Sequence, residues 1–140
     1  MSLIADLTAL LGSAHVLTGT DTARYASDWM GTYHGTPIAV ARPGSTAEVA
    51  ETLKCAARHG VPVIAISGNT GLTGATYTQG GLLISTKRLN RIRDIRPDAR
   101  IAIVESGVIL SRLHDAAADH GVYFPLWFGA RGSAMIGGVL

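Results

Sequence analysis

Leu3, Ile4, Leu7, Leu10 and Leu11 recur at the three-to-four-residue spacing of one helical face, and Gly12 stands where that helix closes. Pro37 to Ala41 is a short apolar run that reads as a strand. Ser45 with Glu48 three residues on predicts a capping box, followed by an apolar stripe of Val49, Leu53 and Ala56/Ala57 and a left-handed C-cap at Gly60. Val61 to Ile66 is uncharged and β-branched, as a buried strand would be. Ile38 to Ile66 therefore reads as strand, helix, strand with a parallel crossover. Leu82 to Ser85 is another strand. Arg91–Arg96 and Ile101–Glu105 alternate charged or polar with apolar residues across a Pro97-Asp98 turn, which predicts an antiparallel hairpin. Ile109, Leu110, Leu113, Ala116 and Ala117 give a second amphipathic helix closed by Gly121. The last stretch, Tyr123 to Leu140, is apolar and glycine-rich, and its apolar end is expected of the front part of a longer protein; a docked C-terminal strand is the alternative.

Composition narrows the function classes. The 140 residues are 47% hydrophobic and 16% charged, a balance that excludes a disordered chain. Twelve basic against ten acidic residues leave a formal charge of +2, with no Lys/Arg run, so nucleic acid is not an expected partner. Cys55 is the single cysteine, which forbids an internal disulfide and suits a reducing, cytoplasmic setting. Met1 to Gly12 lacks the basic flank of a signal peptide. Gly60 to Thr86 carries no charge, yet polar and glycine residues interrupt it too often for a transmembrane segment.

The sharpest motif is the loop Ser67-Gly68-Asn69-Thr70-Gly71-Leu72-Thr73-Gly74, directly after a strand. Glycines at 68, 71 and 74 suit positive φ and close approach of a ligand, and successive N–H groups can form an anion-binding nest. Asn69, Thr70 and Thr73 add side-chain donors. The spacing is neither that of a Walker loop nor that of a Rossmann fingerprint. Two readings fit the loop equally, a tight turn without ligand or a cradle for phosphate or pyrophosphate. Gly129-Ala130-Arg131-Gly132-Ser133-Ala134-Met135-Ile136-Gly137-Gly138 repeats the same logic, with Arg131 suited either to the pyrophosphate or to solvent.

Taken in order, Tyr25 with Asp28-Trp29, Arg42-Pro43-Gly44-Ser45 with Glu48-Val49, Gly60-Val61-Pro62-Val63 and Gly68-Asn69-Thr70-Gly71-Leu72 form a series. It continues through Glu105-Ser106-Gly107-Val108, Phe124-Pro125-Leu126, Gly129-Ala130-Arg131-Gly132-Ser133 and Ile136-Gly137-Gly138. This series resembles the FAD-binding half of FAD-linked oxidases of the vanillyl-alcohol oxidase (PCMH) type. It is most similar to D-2-hydroxyacid dehydrogenases acting on D-lactate, glycolate or D-2-hydroxyglutarate. The resemblance implies an α+β fold in which two lobes, about 1–66 and 67–140, clasp FAD, with the substrate domain and catalytic residues outside this chain. It implies that Ser67, Gly68, Asn69, Thr70, Gly71, Leu72 and Gly74 hold the pyrophosphate. Pro125, Leu126, Gly132, Ser133, Ile136, Gly137 and Gly138 complete the implied cofactor-binding set.

Three departures stand out: Ser67 and Ala75 where relatives commonly carry Gly, Val139 where they commonly carry Asn, and bulky Trp127-Phe128. Val139 cannot make the Asn contacts, so a flavin hydrogen bond is expected to be lost. No histidine lies between His59 and His114, so FAD is expected to be non-covalent. No histidine pair has ligand spacing on one helix face, so no metal is expected, and Cys55 is read as ordinary helix packing. Asp28 and Trp29 are read as structural, and Glu105 is open to a cofactor contact. The full protein is expected to oxidise a 2-hydroxyacid and pass electrons to an acceptor the sequence does not identify. The rival expectations are a dinucleotide- or phosphate-binding module without redox activity and a truncation that folds poorly.

Overall fold

In the computed structural model, which describes residues 2–140, Ser2 caps the first helix, α1 (Leu3–Leu11), by accepting a hydrogen bond from the Ala5 N–H. Leu3, Leu7 and Leu11 face inward at four-residue intervals, each worth roughly 1.5–3 kcal/mol of burial. Ile4 and Leu10, expected on the same face, are exposed, because only the i, i+4, i+8 line of so short a helix reaches the core. A two-residue strand β1 (Val16–Leu17) and a one-turn helix α2 (Ala23–Ala26) precede β2 (Ala39–Ala41).

Helix α3 (Thr46–Arg58) starts as its sequence predicts. Ser45 Oγ accepts from the Glu48 N–H at 3.1 Å. Glu48 Oε2 accepts in return from the Gly44 N–H at 2.7 Å, one residue before the usual partner. The buried line is Thr52, Cys55 and Ala56, whereas Leu53 and Ala57 point outward. Small residues let α1 and the sheet approach α3 closely, and the Thr52 hydroxyl meets its own need by donating to the Glu48 carbonyl at 2.7 Å. Gly60 at φ +64° turns the chain out of α3, with the Val61 N–H returning to the Ala56 carbonyl.

The crossover from β2 through α3 leads to β3 (Val63–Ile66), which is parallel to β2 but not adjacent to it. Strand β4 (Leu82–Ser85) lies between them, giving the order β1-β2-β4-β3 with β1 antiparallel. β3 is thus a half-buried edge strand, and β4 is the fully buried one. Leu82 and Ile84 join Ala39 and Ala41 against the helices, while Leu83 joins Val40 and Ile66 on the opposite face beside Tyr25. A division after 66 would separate β4 from both of its sheet neighbours.

The second packing unit is smaller. β5 (Ile92–Arg96) and β6 (Ile101–Val104) form the expected antiparallel hairpin, with a register shift between Ile92 and Asp94. Helix α4 (Leu110–Asp119) follows, and Gly121 closes it in the same way that Gly60 closes α3. Val108, Leu110, Leu113 and Ile136 form its core with Ile92, Val104, Phe124 and Leu126 around them. No helix among the described residues is long and apolar enough to cross a membrane.

Residues 105–107 join the hairpin to α4, and Gly107 reaches back to the first unit. Gly107 N–H donates to the Leu89 carbonyl, and Ser106 O accepts from Gly137 N–H. The buried Glu105 carboxylate accepts from the Arg91 guanidinium and main-chain N–H and from Arg93, at 2.9–3.1 Å. The Arg91 side chain and main-chain N–H, followed by Arg93, hold this carboxyl down at about 2, against a usual value of 4.5. A carboxylate held low stabilises the fold above 4.5, and that contribution fades as pH falls from 4.5 through about 2. Glu105→Gln is therefore expected to lower the melting temperature at neutral pH, with the gap to the native chain closing across that acid window in pH-stepped thermal melts.

Candidate functional site

Parallel neighbours β3 and β4 need a crossover between them, and here it is the segment from Ser67 to Gly81, which contains no helix. Its main chain is therefore not consumed by secondary structure. Among the described residues, none of the N–H groups from Gly68 through Thr76 donates to another protein group; the next, Tyr77, donates to the Gly74 carbonyl. Gly68, Asn69, Thr70, Gly74 and Thr76 are half-buried and the rest of the run is exposed, so these amides find their acceptors in water or an anion.

The loop is held open by its side chains. The Asn69 amide donates to the Ser27 carbonyl at 2.9 Å and its oxygen accepts from the Thr76 hydroxyl at 2.8 Å. Asn69 thus braces the loop, with one of its two amide N–H donors engaged by Ser27. The positive φ angles fall at Asn69 (+52°) and Gly74 (+71°), not at Gly68 or Gly71. Gly74 also lies against the Tyr33 ring, 2.9 Å from where a Cβ would stand. Gly68 is required for a different reason, since a Cβ there would overlap the Ser133 carbonyl oxygen. Ser67 has no positive φ and accepts from the Thr86 hydroxyl at 3.0 Å.

The two glycine-rich loops therefore meet, at Gly68 against Ser133–Ala134 and at Ser67 against Gly138. Beside this contact is a cleft of about 310 Å³. Ser67, Gly68, Asn69 and Ser133 line it, together with Arg24, Tyr25, Ser85, Lys87, Ile109 and Met135. It opens where the parallel strands β3 and β4 end, the usual place for a ligand in such sheets. Arg24 and Lys87 supply two cations with no carboxylate partner among the described residues. Neither was singled out from the sequence, because they lie far from the motif along the chain. The signal available was that Lys87 follows the C-terminal end of β4.

Other expected site residues fall elsewhere. Thr70, Gly71, Leu72 and Gly74 stand further along the open loop, with Leu72 exposed. Gly137 and Gly138 spend their N–H groups on Ser106 and Met135 carbonyls, Ile136 spends its own on Val108, and Gly132 closes the 3-10 turn Gly129–Gly132, so the second loop keeps few free amides. Pro125 and Ile136 line a larger, mainly apolar cavity of about 670 Å³ between the hairpin and α4. That cavity lacks the free-amide run that borders the smaller cleft. Leu126 packs in the second core, and its carbonyl lies 2.9 Å from His114 Nε2. Arg131 lies over the Trp127 ring at 3.8 Å, with His114 stacked on that ring at 5.0 Å, which gives the bulky Trp127 a packing role and turns Arg131 away from the cleft. Glu105 is satisfied by arginines, which leaves its charge no call on a cofactor.

Comparison with known proteins follows this geometry. The family described as "FAD binding domain" matches residues 37–140. A D-2-hydroxyglutarate dehydrogenase of Xanthomonas citri pv. viticola is 38% identical over 119 residues, covering 84% of this chain and 25% of that protein. The D-2-hydroxyglutarate dehydrogenase of Stutzerimonas stutzeri is 32% identical over 139 residues, covering 98% and 30%. The chain thus spans between a quarter and a third of the length of these relatives. Among solved structures, p-cresol methylhydroxylase with bound substrate superposes with a TM-score of 0.82 at 26% identity, over 97% of this chain and 28% of that one. An alkyldihydroxyacetonephosphate synthase shares the fold at a TM-score of 0.85 and 16% identity, over 97% and 28%.

The loop contact makes a clear stability prediction. Gly68→Ala must push the Ser133 strand of chain aside and is expected to cost about 1–3 kcal/mol. Gly71→Ala meets nothing within 4 Å and is expected to stay within about 0.5 kcal/mol of the native chain in urea unfolding.

Proposed function

The chain belongs to the FAD-binding domain family of FAD-linked oxidoreductases, and from that premise we propose that it is the cofactor-holding segment of an enzyme oxidising a D-2-hydroxyacid to a 2-oxoacid. FAD is the cofactor of the family. The observation that carries the assignment of the site is the run of unpaired N–H groups from Gly68 to Thr76, ending beside a cleft edged by Arg24 and Lys87. This donor set fits a diphosphate, which offers several acceptor oxygens and negative charge.

In this reading Gly68, Thr70, Gly71 and their neighbours donate main-chain N–H bonds to the pyrophosphate, and Arg24 and Lys87 balance its charge. Ser67, Asn69 and Ser133 shape the cleft walls. Leu72 and Gly74 extend the cradle along the open loop. Gly132, Gly137 and Gly138 contribute shape, since Gly132 closes a 3-10 turn and the amides of Gly137 and Gly138 are spent. Pro125, Leu126 and Ile136 support this wall from the second core. When bound, the flavin supplies hydride acceptance and onward electron transfer. The chain's part is to orient it and keep it non-covalently held, with no histidine in the loop to attach it. Names of relatives point to the substrate class: besides the two dehydrogenases above, a D-lactate dehydrogenase of Archaeoglobus fulgidus is 38% identical over 102 residues. Groups that grip the substrate carboxylate and take its proton lie, in this proposal, outside these 140 residues.

Purified under native conditions, the chain is expected to be yellow and to release free FAD on denaturation. A colourless protein that also fails to bind added FAD in a fluorescence titration would favour a module for another phosphorylated ligand. Gly71→Ala and Gly132→Ala, both harmless to packing, are expected to raise the FAD Kd about tenfold, or 1.4 kcal/mol, with melting of the flavin-free protein unchanged. With D-lactate or D-2-hydroxyglutarate and a dye acceptor the chain alone is expected to show no steady-state turnover; measurable turnover would place the catalytic groups inside it.

A further inference from the structure

Away from the cleft, α1 and α3 bring three ligand-type side chains together. Cys55 and His59 are four residues apart at the C-terminal end of α3, so they share a face. Asp6 reaches them from α1. The Cys55 sulfur, a His59 ring nitrogen and an Asp6 carboxylate oxygen all lie within 4.8 Å of one another. Cys55 is buried, while the Asp6 and His59 side chains are about a quarter exposed. One side of the cluster therefore opens to water.

We propose that Asp6, Cys55 and His59 bind a divalent zinc-class cation that pins α1 to α3, with water as the fourth ligand. The donor set is thiolate, imidazole and carboxylate, which selects a borderline-soft ion and disfavours Mg²⁺ or Ca²⁺. Charge closes as well: one thiolate and one carboxylate neutralise a 2+ ion at a half-buried position. The ion also sits at the C-terminal end of α3, where His59 is the cap residue and the helix dipole favours a cation. Zinc bonds of about 2.0–2.3 Å place tetrahedral ligand atoms roughly 3.3–3.8 Å apart. The Asp6–His59 contact, now 2.7 Å, must open slightly, and the sulfur must close by at most about 1 Å. Side-chain rotation of partly exposed groups suffices for both. Binding releases the Cys55 thiol proton to solvent and changes no oxidation state. The Asp6–His59 ion pair alone accounts for two of these groups and has no use for the third.

Reading the sequence through histidine pairs alone hides this cluster, since the relevant spacing joins a cysteine to a histidine. The test uses the reduced 140-residue chain, stripped with chelator and titrated with Co²⁺, followed by difference spectra that cancel any flavin. One equivalent is expected to give a thiolate-to-cobalt charge-transfer band in the near ultraviolet with intense visible bands, bleached by Zn²⁺. Cys55→Ala is expected to abolish the charge-transfer band, and His59→Gln and Asp6→Asn to weaken Zn²⁺ binding at least about tenfold in a competition titration. Zn²⁺ is also expected to raise the melting temperature of the native chain more than that of His59→Gln. Absence of the band at saturating Co²⁺ in folded native chain overturns the site, as does Zn²⁺ affinity equal in native, His59→Gln and Asp6→Asn proteins. The last two variants replace partly exposed groups, so they carry the test even where Cys55→Ala fails to fold.

Discussion

Pairing β4 with parallel neighbours on both edges is the constraint from which the rest of this structure follows. Two adjacent parallel strands cannot be joined by a tight turn, so the chain must travel the length of the sheet between β3 and β4. A helix would usually make that journey and use up its own amides. Here the connection is an open, glycine-rich loop, and its N–H groups stay free from Gly68 to Thr76. The run of free amides is thus a by-product of how β4 is inserted, with Asn69 bracing the loop against Ser27 and Thr76 so that it does not collapse onto itself.

The second unit meets the first through a few main-chain contacts. Gly68 meets Ser133, Gly138 lies against Ser67, and Gly107 donates to Leu89. Close backbone approach of this kind leaves no room for side chains, which explains glycine at positions 68 and 107 without appeal to a ligand. Glu105, gripped by Arg91 and Arg93, fixes where the hairpin leaves the sheet. The cleft between the loops borrows its shape from these contacts: Ser67 and Gly68 come from one loop, Ser133 and Met135 from the other, and Ser85 and Lys87 from the end of β4.

Much of this was legible along the chain. Local signals carried their elements: Ser45 with Glu48, Gly60, Gly121 and the Pro97-Asp98 turn each lie where their chemistry places them. What periodicity could not show was which neighbour covers a face. Leu53 is apolar yet exposed, whereas Thr52 is polar and buried, because α3 packs with its small residues toward α1. β3 reads as a buried strand on composition and is an edge strand in the sheet order. The motif glycines serve different ends: Gly68 serves close approach, Gly74 serves φ, and Gly137 and Gly138 have spent their amides inside the protein. Arg24 and Lys87 are brought together only by tertiary packing, as Asp6 is to Cys55 and His59, whose own four-residue spacing on α3 was the one local signal of that trio.

The Trp127 stack has a practical corollary. Both indoles of this chain, Trp29 at 76% exposure and Trp127 at 66%, stand in solvent. Intrinsic emission of the folded protein is then already that of wet indole, and the interior built from leucine, valine and alanine is dark. A melt followed by this emission tracks the loosening of His114 and Arg131 from one surface ring, and circular dichroism is the probe that sees the sheet come apart.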